Sequence, residues 1–122
     1  MDERESGEGV AISVVEDALL ACVQSDLRPS TMIALQSKLL QQVTKVAAKG
    51  VMVDLSEVDA LDVDGFASLV DLTQMLKIMG AKTVFIGFRP GVVAGLVALD
   101  SDLSALRGCQ TIRQALDLLH EI

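Results

Sequence analysis

Apolar and polar residues alternate with two different periods along this chain, and the changes of period divide it into short segments. Two apolar runs, Val10 to Val15 and Ala18 to Val23, are separated by Glu16-Asp17, a pattern that predicts a β-hairpin. From Ile33 to Ala47 the apolar residues recur every three or four positions, which predicts an amphipathic helix. Ser30 is expected to cap this helix at its start.

The middle of the chain repeats this change from short apolar runs to helical spacing. Val51 to Leu55 reads as a short buried strand, preceded by Gly50 as the expected stop of the first helix. A second helix is predicted from Asp64 to Met79, and the β-rich run Lys82 to Gly87 follows it.

The last third predicts two more helices around a short extended piece. Pro90 suits the first turn of a third helix, which we expect to end near Leu99. Ser104 to Leu106 is predicted to be extended, and Thr111 to His120 to be helical. The order is therefore ββαβαβαβα, which indicates one α/β domain. Its sheet is expected to be mixed and largely parallel, with an N-terminal antiparallel hairpin and the helices packed on it.

Composition limits the classes of function. The chain has 122 residues, enough for one domain, which we place at 10–122 after a disordered acidic tail at 1–9. A net charge of −7 and 2% aromatic residues argue against nucleic-acid binding. No segment has the apolar length of a membrane span or the pattern of a signal peptide, so we expect a cytoplasmic protein. Apolar residues make up 51% of the chain, which favours a homo- or hetero-oligomer.

Candidate functional residues follow the predicted parallel strands. In open α/β sheets, sites lie outside the carboxyl ends of the strands, where the loops Asp62-Val63-Asp64-Gly65 and Gly87-Phe88-Arg89-Pro90 are expected. Arg89 would stand at the positive end of the third helix, an unfavourable place for a cation. We therefore expect an anionic partner for it, either Asp62 or Asp64 or a group on another protein.

The same carboxylates have two chemical interpretations that the sequence does not favour. Asp62-x-Asp64-Gly65 resembles the motif of Mg²⁺-dependent phosphatases of the haloacid dehalogenase type, but it does not directly follow an apolar strand. As a calcium loop it would have Ala60 at the first ligand position. The single histidine, His120, is expected on the surface near a helix end. We predict no cofactor, no metal and no catalytic residue. Glu57 and Asp59 are interpreted as solvated loop charges.

Two segments carry a family resemblance. Asp54-Leu-Ser-Glu-Val-Asp-Ala-Leu-Asp62, and Met79-Gly-Ala-Lys-Thr-Val-Phe-Ile-Gly-Phe-Arg-Pro90 further on, resemble the STAS domain of anti-sigma factor antagonists. The similarity is greatest to the small single-domain scaffold proteins of the stressosome, and it extends over about Val10 to Leu119.

The resemblance implies the STAS fold and a non-enzymatic regulatory domain that binds proteins. Expected partners are a serine kinase or an anti-sigma factor, together with other STAS-domain proteins. The implied contact surface comprises Asp62, Val63, Asp64, Gly65 and Phe66, with Arg89 and Pro90 beside it. Of these, we expect Phe66 to belong more to the core than to the contact. In many relatives a Ser or Thr follows the residue that matches Asp62, and its phosphorylation releases a partner.

This chain departs from the family pattern at that position, where Val63 cannot accept a phosphate. Two hypotheses remain: Val63 locks the domain in the unmodified, partner-holding state, or Asp64 imitates part of a phosphorylated surface. We favour the first. The alternative function is a small-ligand sensor that binds a nucleotide or lipid, with a phosphate at the helix starts near Gly65 and Gly91.

Overall fold

The computed structural model of the protein describes residues 5–7, 9–99 and 102–122. The strands are β1 (Glu5–Gly7), β2 (Val10–Val15), β3 (Ala18–Val23), β4 (Gly50–Asp54), β5 (Lys82–Ile86) and β6 (Gly108–Cys109). The helices are α1 (Pro29–Val46), α2 (Val63–Ile78), α3 (Pro90–Ala98) and α4 (Ile112–Glu121), and a 3₁₀ turn spans Leu103–Ala105. In the described part of the chain, no helix combines the length and the hydropathy that crossing a lipid bilayer requires.

One sheet holds all six of these strands in the spatial order β1-β2-β3-β4-β5-β6. The pairs β1–β2 and β2–β3 are antiparallel, whereas β3–β4, β4–β5 and β5–β6 are parallel. This confirms the predicted α/β class, the N-terminal hairpin and the largely parallel sheet. Because β3, β4 and β5 run in the same direction, the loops that follow them meet at one edge of the sheet.

Helices cover both faces of the sheet, which explains the continuous apolar sequence of β4. Val51 and Val53 face α1 and α2, whereas Met52 faces α4 on the other side. None of these three side chains has any exposed surface. A smaller third cluster packs α3 against α2 through Phe66, Val92 and Leu96.

Several element boundaries differ from the expected ones. Helix α1 begins at Pro29, and its N-cap is Arg28 without a side-chain hydrogen bond, so the prediction of a Ser30 cap is wrong. The helix ends at Val46, and its C-cap Ala47 adopts the left-handed conformation with φ 52°. Gly50 already belongs to β4, where a Cβ atom would lie 2.9 Å from Leu119 Cδ1.

One short segment was assigned to the wrong structure. The piece expected to be extended at Ser104–Leu106 instead overlaps the 3₁₀ turn, and the strand comes later, at β6. The Asp102 carboxylate explains the turn, because it accepts hydrogen bonds from both the amide and the hydroxyl of Ser104. In the segment predicted as a disordered tail, Glu5–Gly7 pairs with the edge of β2 as β1. Residues 1–4 and 8 lie outside the described residues.

Ala47 provides a test of the helix ending. A left-handed conformation costs a residue with a Cβ atom roughly 1–2 kcal/mol, so Ala47→Gly should raise the free energy of unfolding by about 1 kcal/mol in urea titration. The neighbouring Ala48→Gly is the matched control. Its φ is not positive, so it should lower stability by roughly 0.5–1 kcal/mol. Equal destabilisation by both changes would contradict the assignment.

Candidate functional site

The start of α2 forms the centre of the candidate surface. Asp62 is the N-cap of this helix, and its Oδ1 accepts a hydrogen bond of 2.7 Å from the Gly65 amide. Asp64 lies in the first turn, where a carboxylate is favoured by the helix dipole. Asp62, Val63 and Asp64 are all exposed, and the Val63 side chain keeps 48% of its surface accessible.

Gly65 is closely packed against two neighbouring side chains. A Cβ atom at this position would lie 2.8 Å from Leu61 Cδ1 and 3.1 Å from Asp62 Oδ1. The first contact is shorter than real Cβ contacts, so a larger residue would displace the capping carboxylate or the Leu61 side chain. The absence of a side chain at Gly65 therefore leaves room for the Asp62 carboxylate that caps the helix.

Phe66 supports the surface from below. It is 7% exposed and packs with Val92 and Leu96, so it fixes α2 against α3. This agrees with the expectation that Phe66 is more a core residue than a contact. Pro90, by contrast, is exposed in the first turn of α3.

Arg89 connects the loops that follow β4 and β5. Its Nε donates a hydrogen bond of 2.7 Å to the carbonyl oxygen of Ser56, and its Nη1 pairs with the Asp59 carboxylate. The ionic partner expected within the chain was Asp62 or Asp64. Among the described residues, Arg89 makes no ion pair with either of them. The internal partner is Asp59, which the sequence had suggested to be only a solvated charge.

Asp59 is also tied to the loop that follows β3. Its amide donates a hydrogen bond of 3.0 Å to Oδ1 of Asp26, thirty-three positions earlier in the chain. The chain of contacts Asp26–Asp59–Arg89–Ser56 therefore joins the loops after three parallel strands. Neither Asp26 nor Ser56 was predicted as a site residue. Its position in the sequence could have indicated Asp59 as a partner of Arg89. Asp59 lies in the loop after β4 and Arg89 in the loop after β5, and these two strands are neighbours.

The carboxylates of the α2 start face a groove shared with α1. This groove has a volume of about 320 Å³ and lies between the starts of the two helices. Its walls include Leu27, Ile33 and Ser68 as well as Asp62 and Asp64. Ile33 is 67% exposed, an unusual place for a large aliphatic side chain. The groove therefore presents apolar surface beside two carboxylates.

The packing at Gly65 gives a stability prediction. Gly65→Ala should lower the free energy of unfolding by up to about 1 kcal/mol, because the methyl group weakens the Asp62 cap by more than alanine gains in helix propensity. Gly91→Ala is the matched control at the start of α3, where a Cβ would meet nothing within 4 Å. That change should be neutral or raise stability by up to about 1 kcal/mol. Thermal unfolding of both variants measures the difference, and an unchanged Gly65→Ala protein would show that the cap tolerates the methyl group.

Comparisons with solved structures place this arrangement among known folds. A serine-to-glutamate variant of RsbS from Moorella thermoacetica is 24% identical, with a TM-score of 0.74 over 92% of this chain and 95% of that one. A chain from the stressosome is 23% identical, with a TM-score of 0.70 over 90% of this chain and 96% of that one. The anti-sigma factor antagonist SpoIIAA in its unphosphorylated form is 12% identical, with a TM-score of 0.65 over 93% and 99%. At these identities the likeness establishes the fold.

Sequence comparison gives the family. The Bacillus subtilis protein YezB is 36% identical over 66 residues, which cover 54% of this chain and 67% of YezB. The family model described as the STAS domain matches residues 10–115, from the first strand of the hairpin into α4. The chain therefore belongs to the STAS domain family.

Proposed function

We propose that this chain is a non-enzymatic regulatory domain, an anti-sigma factor antagonist of the stressosome type. It would bind a serine kinase or an anti-sigma factor and assemble with other STAS-domain proteins as a homo- or hetero-oligomer. The observation that carries this proposal is the exposed start of α2. There Asp62, Val63 and Asp64 stand on the solvent side of a turn that Phe66 and Gly65 hold in place.

The chemistry of the surface suits a protein partner. Val63 and Ile33 offer exposed apolar area, and Asp62 and Asp64 place negative charge around it. Apolar contact area with a charged rim is typical of protein interfaces. A partner with basic side chains around an apolar contact would complement this surface. Arg89 and Pro90 extend the proposed surface towards α3, while Gly65 and Phe66 act through the shape of the turn.

The proposed regulation concerns position 63, where many relatives carry the residue that is phosphorylated. Val63 is the first residue of α2, is exposed, and has no hydroxyl group. A phosphate there would add about −1.5 to −2 charges to a surface that already carries two carboxylates. The other nearby hydroxyls are in different settings. The Ser56 hydroxyl donates to Asp54, and Ser68 is half-buried within α2.

We infer that Val63 keeps the domain in the partner-holding state, because the ordinary route to release is missing. The competing hypothesis assigns Asp64 the role of a phosphate mimic. Asp64 carries one charge and stands one residue further along the helix, in the first turn, where its charge also favours the helix itself. A helix-stabilising role thus accounts for Asp64 without mimicry.

The remaining alternatives have less support at this surface. A ligand phosphate at the start of α2 would compete with the Asp62 carboxylate, which already accepts from the Gly65 amide. The same hydrogen bond commits Asp62 to capping, which argues against a nucleophilic role in a phosphatase. Among the described residues, no group of three or more His, Cys, Asp or Glu side chains could hold a metal ion.

Restoring a hydroxyl at position 63 tests the proposal. Val63→Ser should become a kinase substrate, and ATP should then release the partner, because a charged phosphate is costly to bury in the apolar contact that the valine is proposed to make. Val63→Ala is the matched control, since it also removes both γ-carbons of the valine but creates no acceptor. Binding to the serine kinase encoded nearest to this chain is measured by light scattering after size exclusion, with and without ATP.

The outcomes separate the hypotheses. ATP-dependent release of Val63→Ser alone, with retention of the native chain and Val63→Ala, supports the locked state. If the native chain ignores the partner and Asp64→Asn gains binding, Asp64 is the mimic and the locked state is wrong. If Val63→Ser and Val63→Ala neither bind the kinase nor respond to ATP, this surface is not regulated by a kinase.

A further inference from the structure

A basic pocket lies at the amino end of β5, the opposite end of the sheet from the start of α2. Its volume is about 430 Å³. Lys77 from the last turn of α2, Lys82 from the first position of β5 and Arg107 from the segment before β6 all line it. Three of the ten basic residues of a chain with net charge −7 therefore surround one hollow.

These three cations have no counter-ion within the described residues. The ion pairs found there involve Arg89, Arg113 and His120, and none reaches Lys77, Lys82 or Arg107. Like charges that share a hollow repel one another unless an anion lies between them. Asp102 bonds to the lining residue Ser104 but does not itself line the pocket. Hydrogen bonds from Ser104 lower the pKa of its carboxyl group and satisfy one of its oxygens.

Thr83 supplies a second, independent observation. It lines the same pocket and is only 4% exposed, yet its Oγ1 has no hydrogen-bond partner among the described residues. A buried hydroxyl without a partner is unfavourable and uncommon in folded proteins. Thr83 shares a face of β5 with Phe85, the face on which α2 packs, as strand alternation requires.

The edge of β5 is open at this point. Strand β6 pairs only with Phe85 and Ile86, so no strand within the described part of the chain covers the edge beside Thr83. Arg107 lies there instead, held by its carbonyl oxygen, which accepts a hydrogen bond from the Phe85 amide. This backbone hydrogen bond, just before β6, positions Arg107 at the pocket.

We propose that this pocket binds the phosphate group of a small phosphorylated molecule. Lys77, Lys82 and Arg107 neutralise the phosphate charge, and a phosphate oxygen between them supplies the acceptor that the Thr83 hydroxyl lacks, once that buried side chain turns towards it. A phosphate matches the site better than a carboxylate, because it carries up to two charges and three free oxygens. A pocket of about 430 Å³ leaves room for the rest of the molecule. Because the pocket lies away from the start of α2, ligand and protein partner can bind together, and the proposal does not rest on the proposed function.

Pyrophosphate and inorganic phosphate are the probes, compared with sodium chloride at equal ionic strength. Pyrophosphate should raise the melting temperature and shift the backbone amide resonances of Lys82, Thr83 and Arg107. Lys82→Gln and Arg107→Gln should each weaken its binding by about fivefold. Lys45→Gln, which removes an exposed cation of α1 outside the pocket, is the matched control and should bind as the native chain does.

Thr83→Val separates a ligand role from a structural one. The change removes an unpaired hydroxyl at nearly constant volume, so without ligand the melting temperature should not fall. Pyrophosphate binding should nevertheless weaken. The proposal is overturned if pyrophosphate shifts no pocket resonance, or if it stabilises all variants equally, as a general salt effect would.

The source of the phosphate is distinguished by a second measurement. A lipid headgroup is identified if the chain co-sediments with phosphatidic acid vesicles but not with phosphatidylcholine vesicles. Arg107→Gln should then abolish the co-sedimentation. A response to pyrophosphate without co-sedimentation would identify a soluble phosphorylated molecule. Without the pyrophosphate response the site is overturned, whatever the vesicles do.

Discussion

The parallel pairing of β3, β4 and β5 is the constraint on which the rest of the molecule depends. Strand β4 sits between the other two, and the side chains of Val51, Met52 and Val53 are completely buried by helices on both faces. If β4 slipped by one residue, Val51 and Val53 would turn towards α4, and Met52 would turn towards α1 and α2. The register is therefore firmly specified, and it fixes where each following loop begins. The candidate surface is a consequence of that register.

The loops at this edge then hold one another in place through a few specific contacts. Arg89 bonds to the Ser56 carbonyl and to Asp59, and Asp59 in turn bonds to Asp26. Gly87 allows the close approach, since its φ is 74° and a Cβ atom there would lie 2.9 Å from the Cβ of Ser56. The Arg89–Asp59 pair is exposed and contributes little stability by itself. Its role is to set the position of the start of α3 relative to the loop that leads into α2.

Local pattern was sufficient to predict most of the fold. Both strands of the hairpin were predicted with their observed bounds, because alternation and the Glu16-Asp17 turn are properties of neighbouring residues. The errors arose where a contact distant in sequence decides the structure. The Arg89–Asp59 pair joins residues 30 positions apart, and Gly50 is small because Leu119 packs on it. Likewise, the cations of the basic pocket are scattered from Lys77 to Arg107 and meet only through the fold.

The molecule thus has two differently charged ends, an acidic and partly apolar edge at the start of α2 and a basic pocket at the amino end of β5. We propose that the first of these ends binds the protein partner. Hydrogen exchange of the chain, free and bound to the anti-sigma factor or serine kinase encoded beside it, tests that claim most directly. Binding should slow exchange at 62–68 and 87–91 and leave the β2–β3 hairpin unchanged. Slower exchange confined to the hairpin or to α4, with no change at the start of α2, would contradict it.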